Sequence, residues 1–159
     1  MTLPVSLSYG LAVGTVTTNT AWVTSAEVVT PIFGSASIKI ANAPPLAVND
    51  HGTGFITDED TLFTTASVLP NDDDPNGDLL TVQSFDSSGT KGQVTDNGDG
   101  TFEYNPDGQF EDLDAGDQAT DTFTYTISDG NGATDSATVT ITINGVQDDF
   151  FIYLPLVSK

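Results

Sequence analysis

An acidic loop at residues 71–78, reading NDDDPNGD, contains the side chains of this chain that are best suited to chemistry. Four of its oxygen-bearing side chains recur at every second position: Asp72, Asp74, Asn76 and Asp78. Carboxylate and amide oxygens at this spacing are the ligands that a hard cation such as Ca²⁺ prefers. The loop therefore predicts a calcium site. The alternative is a solvated turn, because Asp, Asn, Pro and Gly are also the residues that turns favour.

The loop departs from the helix-loop-helix type of calcium site. That motif ends on a bidentate Glu at its twelfth position, which here falls on Gln83. A Gln side chain has a single neutral acceptor oxygen and cannot bind as a bidentate carboxylate. Residues 79–82 (LLTV) also have the composition of a strand. We therefore expect the loop to connect strands rather than helices.

The chain is strongly acidic, with 23 Asp and Glu residues, three Lys and Arg residues and a formal net charge of −20. All the acids except Glu27 lie within residues 44–149. Nucleic acid is excluded as a partner, because its phosphates are bound by basic residues that displace counterions. Anionic lipid is excluded on the same ground. Like charges at this density repel one another unless cations neutralise them, which favours Ca²⁺ as a cofactor.

Residues that would support other kinds of site are scarce. The chain has no Cys and a single His, His51, which excludes a thiolate zinc site and a disulfide framework. No Ser has the context of a nucleophile, and the acids cluster in turns, so we do not expect an enzyme. No run of 18 apolar residues predicts a membrane span. The first residues lack a signal-peptide pattern, which indicates a removed leader or a start that is not the native one.

Period-two alternation of apolar and polar residues predicts an all-β fold. The clearest strands are predicted at residues 122–127 and 137–143. Weaker strand patterns occupy residues 54–57, 62–68, 79–85, 92–95 and 101–104. Seven short strands at this spacing are typical of a β-sandwich. The expected core is Leu62, Val68, Leu80, Val82, Val94, Phe102, Tyr104, Phe110, Phe123, Tyr125, Ile127, Val139 and Ile141.

Two glycine-containing turns are predicted between these strands, at residues 96–100 (DNGDG) and 129–132 (DGNG). Asn-Gly and Asp-Gly pairs supply the positive φ that tight hairpin turns need. The neighbouring glycines already account for the acids here, so we assign turn roles to Asp96, Asp99 and Asp129.

Composition divides the chain into three parts. Residues 1–43 contain one acid and one Lys, and strands are plausible at 3–9, 12–24 and 35–41. Residues 44–149 form the acidic sandwich, preceded by the stiff sequence NAPP, and residues 150–159 begin with the apolar sequence FFIYLPLV. An apolar terminal strand needs a partner. We therefore predict subunit contacts through Phe150, Phe151, Ile152, Tyr153, Leu154, Leu156 and Val157.

Residues 44–149 resemble the bacterial cadherin-like repeats, including VCBS repeats, of large secreted adhesins and surface proteins. The matching stretches are APPLAVND at 43–50, TDEDT at 57–61, VLPNDDDPNGDLLTV at 68–82, and residues 97–145. The resemblance implies an Ig/cadherin-like Greek-key β-sandwich with calcium at its ends. It also implies a secreted, extracellular protein at the cell surface.

The resemblance further implies which residues bind the ions. An amino-terminal site would use Asn49, Asp50, Asp72 and Asp74. A distal site would use Glu59, Asp117, Asp121, Asp148 and Asp149. Auxiliary ligands would be Asp58, Asp60, Asp73 and Asp78. The exit sequence VQDD at residues 146–149 departs from the Thr-Asn-Asp exit that the family usually has, which weakens the distal assignment.

Residues 1–43 are similar, in a shorter match, to the later half of another Ig-like surface-protein repeat. The similarity lies in TNTAWVTS at 18–25 and in the alternating residues 35–40. No counterpart of the earlier half precedes them. Half a sandwich leaves an open edge, and open edges pair with other strands. We therefore expect strand addition to complete this partial β-domain.

The partial sheet and the apolar tail suggest how subunits assemble. Residues 150–157 of one copy, or its amino-terminal strands, are expected to insert into the next copy by β-strand addition. A head-to-tail contact that does not close gives a filament, hence a homopolymer. The tail alternatively folds back onto its own half-sandwich or anchors the chain to a surface. The predicted function is a calcium-stabilised extracellular structural or adhesive protein that contacts cell-surface or matrix components; the alternative is a calcium-dependent carbohydrate-binding or adhesin module of a larger secreted protein.

Overall fold

The computed structural model describes residues 16–23 and 32–147, with side chains from residue 40 onward. Strands β1 (Val16–Val23) and β2 (Ile32–Lys39) pair antiparallel along their whole length. Among the described residues no third strand joins this sheet. The strands predicted at 12–24 and 35–41 are thus confirmed, and the one predicted at 3–9 lies outside the described residues.

Seven further strands form two sheets. The four-stranded sheet has the order β3 (Ile56–Asp58), β9 (Thr134–Asn144), β8 (Gln118–Ser128) and β5 (Thr81–Asp86). The three-stranded sheet has the order β4 (Phe63–Thr64), β7 (Phe102–Asn105) and β6 (Gln93–Asp96). All seven predicted sandwich strands are found, and the β-sandwich class is confirmed.

Strand pairing is antiparallel within the three-stranded sheet, whereas β3 runs parallel to β9. A 3-10 turn at Leu69–Asn71 separates β4 from β5 and leads into the acidic loop. Over the part of the chain that the structure describes, no helix is long and apolar enough to cross a membrane.

Contacts divide the chain into two compact units, and β8 and β9 contribute residues to both. The first unit comprises Met1–Val48, Val68–Phe85 and Tyr125–Ala137. Its described core is built from apolar side chains on β8 and its neighbours: Val68, Tyr125, Ile127 and Ala137. The second unit comprises Asn49–Ser67, Asp86–Thr124 and Thr138–Lys159. The division that the sequence predicts at residues 43 and 149 stays a prediction.

The second unit has the larger described core. Its buried side chains are Phe55, Phe102, Tyr104, Phe110, Phe123, Val139, Ile141 and Ile143. Phe102 on β7 meets Phe123 on β8 edge to face, with ring centroids 4.8 Å apart. This arrangement is the one that aromatic pairs prefer. From Ala137 to Ile143 every second residue of β9 is buried, as the alternating sequence predicts.

Nine of the thirteen predicted core residues are buried, and four are not. Leu62 is 55% exposed, because β4 begins one residue later and is only two residues long. Leu80, Val82 and Val94 are half-buried. Val82 and Val94 lie on β5 and β6, each of which is the last strand of its sheet. A strand at the edge of a sheet has a neighbour on one side only, which leaves its apolar side chains less covered.

Candidate calcium sites

Three carboxylates of the first unit converge on one point. One carboxylate oxygen from each of Asp74, Asp78 and Asp129 lies within 4.8 Å of the others. Asp74 and Asp129 are buried, and Asp78 is half-buried. Asp74 and Asp78 come from the acidic loop before β5, and Asp129 follows β8. We call these three residues the Asp74 cluster.

The acidic loop is shaped by its own backbone N–H groups. Asn76 and Asp78 donate their backbone N–H groups to Oδ1 of Asp74, at 2.8 and 3.2 Å. Gly77 has a φ of 76°, a left-handed conformation that residues with a side chain rarely adopt. These contacts fix one oxygen of Asp74 and turn the chain back, so that Asp78 lies beside it.

The remaining oxygens of the loop define the chemistry of the Asp74 cluster. Oδ2 of Asp74 and Oδ2 of Asp78 are buried and accept no hydrogen bond in the described structure. A buried carboxylate oxygen without a partner is costly, and native proteins rarely leave one. A cation between these carboxylates would provide the partner that hydrogen bonding does not. Calcium fits the all-oxygen donor set, since it takes six to eight oxygen ligands.

Asp129 reaches the Asp74 cluster from the turn between β8 and β9. Its Oδ1 accepts the backbone N–H groups of Asn131 and Ala133, at 2.8 and 3.0 Å. Its Oδ2 accepts a 2.7 Å hydrogen bond from the side chain of Asn42. This hydrogen bond is the main reason why the pKa of Asp129 lies below its usual value. Asp129 therefore takes the predicted turn role and also belongs to the cluster, which the sequence pattern did not indicate.

The segment before the sandwich is bound along the same loop. Asn76 accepts the backbone N–H of Ala43 on its side-chain oxygen at 2.7 Å, and Leu46 pairs with Asp73 through two backbone hydrogen bonds. Val48 donates its N–H to Asp72 at 2.8 Å. With the Asn42–Asp129 contact, residues 42–48, which we call the linker, are held by the residues that form and flank the Asp74 cluster.

Asp72 is predicted as a ligand but has other partners in the structure. Both of its carboxylate oxygens accept the hydroxyl of Tyr125, at 3.1 and 3.2 Å, in addition to the N–H of Val48. Burial raises the pKa of Asp72, and these hydrogen bonds oppose the rise. Asp72 therefore joins the linker to β8, next to the Asp74 cluster rather than within it.

Asn49 and Asp50 belong to the second unit and contact β9. Asn49 accepts the backbone N–H of Thr138 on its side-chain oxygen at 2.9 Å. Asp50 is buried and pairs through its backbone with β9 next to Val139. Their predicted grouping with Asp72 and Asp74 of the first unit stays a prediction.

A second acidic position lies where the chain leaves β9. Glu59 is only 3% exposed, and its Oε1 accepts the backbone N–H of Val146 at 2.9 Å. Its Oε2 is buried without a hydrogen-bond partner in the described structure. The preceding Gly145 donates its N–H to the carbonyl oxygen of Asp117. Glu59 and Asp117 thus each accept a hydrogen bond from one of two consecutive residues, Val146 and Gly145. The predicted distal calcium site stays a prediction, and Asp148 and Asp149 lie outside the described residues.

Asp121, the remaining predicted distal ligand, is saturated with hydrogen bonds. It is buried and accepts the backbone N–H groups of Lys91 and Gly92 and the hydroxyl of Tyr104, the last at 2.8 Å. Burial, and then the hydrogen bond to Asp121, raises the pKa of Tyr104. Asp121 on β8 therefore binds the two residues that precede β6.

Among the auxiliary candidates, only Asp78 enters a cluster. Asp58 caps the following turn by accepting the backbone N–H of Asp60 at 3.1 Å. Asp73 is exposed and pairs with Leu46 through its backbone. The predicted subunit contacts at residues 150–157 lie outside the described residues.

The fold and the acidic sites define a family. Residues 42–145 match the model of the bacterial cadherin-like domain, and the chain belongs to this family. The matched region begins at the linker residue that contacts Asp129 and ends at the Gly beside Asp117.

One relative of this chain is a calcium-binding protein. The chain is similar to the calcium-binding lectin RapA2 of Rhizobium johnstonii, with 34% identity over 121 residues. The match covers 68% of this chain and 50% of the relative, so the chain spans about half the length of that protein. Cadherin-like domains and lectins are non-enzymatic classes and are typically extracellular or surface-associated.

Proposed function

We propose that this chain is a calcium-stabilised adhesive module of an extracellular or cell-surface protein. The observation that carries the proposal is the Asp74 cluster, with two buried carboxylate oxygens that lack a hydrogen-bond partner in the described structure. Membership in the cadherin-like family and similarity to a calcium-binding protein support Ca²⁺ as the ion. The proposed ligands are Asp74, Asp78 and Asp129, with water or a further group completing the coordination sphere.

Calcium at the Asp74 cluster is proposed to order the linker as well as the loop. Asn42 contacts a proposed ligand directly, and Asn76, which is bound to Ala43, lies between two of them in sequence. A cation that fixes the positions of Asp129 and of the loop also fixes the acceptors on which the linker depends. The backbone N–H groups of Ala43, Leu46 and Val48 should therefore exchange with deuterium faster when calcium is removed.

A second ion is proposed at Glu59. Its buried Oε2 has the same unmet need for a partner as the oxygens of the Asp74 cluster. Asp117 supplies a carbonyl oxygen to the same stretch of chain and carries an exposed carboxylate. Occupancy here would stabilise the exit of the chain from β9. A variant tells this ion from the first: Glu59→Gln should remove one bound calcium ion and leave the one at the Asp74 cluster.

Calorimetric titration of the calcium-free chain tests both ions. We expect two ions per chain in the wild type and one in Asp74→Asn. The matched control is Asp99→Asn, since Asp99 is exposed and its turn needs only an acceptor oxygen, which Asn retains. The control should bind two ions. Absence of calcium uptake by the wild type would contradict the proposed function.

We further propose that the chain assembles into a homopolymer. The sheet of β1 and β2 has two strands among the described residues, so each strand has an edge to offer. Seven of the eight residues at positions 150–157 are apolar side chains suited to a strand, and the eighth is Pro155. Pro155 cannot donate a hydrogen bond to a neighbouring strand. We propose that this tail adds to the sheet of a neighbouring copy and produces filaments.

Removal of the tail tests the assembly. A chain that ends at Asp149 should stay monomeric in light scattering and electron microscopy, while the full chain forms filaments. The truncated chain should also act as an acceptor that caps growing filaments when the two are mixed. Equal polymerisation of both chains would exclude the tail as the donor strand.

Carbohydrate binding is the second candidate function. It is favoured by the similarity to a calcium-binding lectin and by a cavity that borders two of the proposed calcium ligands. Calcium-dependent retention on immobilised polysaccharide, with no filaments in the microscope, would favour this candidate over assembly.

A further inference from the structure

A cavity of about 430 Å³ opens beside the acidic loop in the first unit. It is lined by four carboxylates and three leucines, with Gly77 completing the wall: Asp72, Asp73, Asp74, Asp78, Leu69, Leu79 and Leu80. Its volume lies in the range of small-molecule sites. Two of its carboxylates, Asp74 and Asp78, belong to the Asp74 cluster. An ion held by the cluster would therefore border the cavity.

We propose that this cavity binds a neutral sugar through two adjacent hydroxyl groups on the bound calcium ion. The inference rests on the proposed calcium site. Three carboxylate side chains cannot supply six to eight oxygens unless each binds through both of its atoms. Oδ1 of Asp74 is already engaged by two backbone N–H groups. Calcium held by these three side chains would thus have room for oxygens from outside the protein, and a vicinal diol would supply two of them.

The leucines supply the second half of the site. Leu79 follows the proposed ligand Asp78 in sequence, lines the cavity and is 83% exposed. This is the most exposed of the large apolar side chains in the described structure. Sugar rings carry an apolar face of C–H groups, and covering exposed apolar surface favours binding. A ring held on the ion by its hydroxyls can lay this face against Leu79.

Charge selects the class of sugar. Four aspartates line the cavity, and a fifth, Asp129, completes the Asp74 cluster beside it. One Ca²⁺ neutralises two of these charges, and the remainder leaves the cavity anionic. A sugar carboxylate entering it would meet like charges at short range, which is unfavourable. The site therefore selects neutral sugars over uronic acids.

Saturation-transfer NMR on the full chain tests the proposal. The neutral probes are the methyl glycosides of mannose, galactose, glucose and fucose, and the anionic probe is sodium glucuronate. With calcium present, we expect at least one neutral glycoside to receive saturation and to lose it on chelation. Glucuronate should bind about tenfold more weakly or not at all.

Two leucine variants distinguish sugar binding in the cavity from calcium binding at the Asp74 cluster. Leu79→Ser should weaken the neutral sugar about five- to tenfold and leave calcium stoichiometry unchanged. Leu62→Ser is the matched control, because Leu62 is also exposed but lies in the second unit. It should change neither property.

The outcomes distinguish this inference from the function on which it rests. Normal calcium uptake without saturation of any neutral glycoside overturns the sugar site and leaves the calcium module intact. Glucuronate binding equal to that of the neutral sugars overturns the selectivity for neutral sugars. Equal losses of sugar binding in Leu79→Ser and Leu62→Ser overturn the assignment of the sugar site to this cavity. Failure to take up calcium removes both proposals.

Discussion

Replacing Asp74 with Asn should abolish the calcium-dependent stabilisation of this domain. The substitution keeps the oxygen that accepts the N–H groups of Asn76 and Asp78 and replaces the buried, partnerless Oδ2 with a neutral amide nitrogen. The loop should therefore keep its turn but bind calcium much more weakly. The perturbation is local, because the hydrogen bonds that the Asp74 carboxylate accepts in the described structure come from within the acidic loop.

The magnitude follows from ligand linkage. Extracellular calcium modules bind with dissociation constants of about 10⁻⁴–10⁻³ M. At a calcium concentration about 100-fold above the tighter value, one site adds about 2.7 kcal/mol to the free energy of unfolding. For a domain of this size each kcal/mol shifts the melting temperature by about 4 °C or more. One site is thus worth about 10 °C.

Differential scanning calorimetry in excess calcium and in excess chelator gives the relevant quantity, which is the difference between the two melting temperatures. In the wild type the difference should be about 10 °C for the Asp74 cluster, with a further contribution from the proposed ion at Glu59. Asp74→Asn should lose the first contribution, and Asp99→Asn should lose neither. The reasoning is refuted if wild type and Asp74→Asn show the same difference.

Three further predictions concern contacts outside the ion itself. Asn42→Ala removes a hydrogen bond to a carboxylate and should cost about 1–2 kcal/mol in chemical denaturation, with faster exchange of the Ala43 N–H. The pKa of Tyr104 is raised in the folded state, so its contribution to stability is complete below its ordinary pKa of 10.0 and is lost as the pH rises through the folded pKa. When the free energy of unfolding is measured between pH 8 and 11, it should fall less with pH in Tyr104→Phe than in the wild type. Gly145→Ala would place a Cβ against the carbonyl oxygen of Asp114, closer than atoms can approach without a shift of the backbone, and should destabilise by about 1–3 kcal/mol. The control Gly89→Ala has no neighbour within 4 Å and should be nearly neutral; equal effects of the two alanines would contradict the steric argument.

The strands could be predicted because their sequences alternate. Residues 122–127 and 137–143 lie within β8 and β9, and each of the weaker patterns contains or overlaps a strand. The failures are Leu62, Leu80, Val82 and Val94, which alternation assigned to the core. Alternation tells which residues share a face, but it does not tell whether a strand lies at the edge of its sheet or how many residues of it pair.

The structure places two carboxylates of the acidic loop, Asp74 and Asp78, beside each other, and the third carboxylate of the cluster comes from a turn distant in sequence. That these residues bind calcium stays a prediction. Asp129 lies 51 positions after Asp78 in sequence, and a turn already explained it. Which turns meet at one end of a β-sandwich depends on the pairing of whole strands, so no local pattern identifies Asp129. Asp72 and Asp121 stay predicted ligands, and the hydroxyl groups from which they accept hydrogen bonds belong to tyrosines distant in sequence, which a local pattern does not reveal.

The parallel pairing of β3 with β9 has a consequence for a chain under tension. These are the first and last strands of the sandwich, and Ile56, Thr57 and Asp58 face Thr142, Ile143 and Asn144 in register. If neighbouring domains pull the two ends apart, the strands are drawn past each other along their length. Their hydrogen bonds must then stretch and break as a group rather than one after another, the geometry in which a β-ladder resists a pull most strongly.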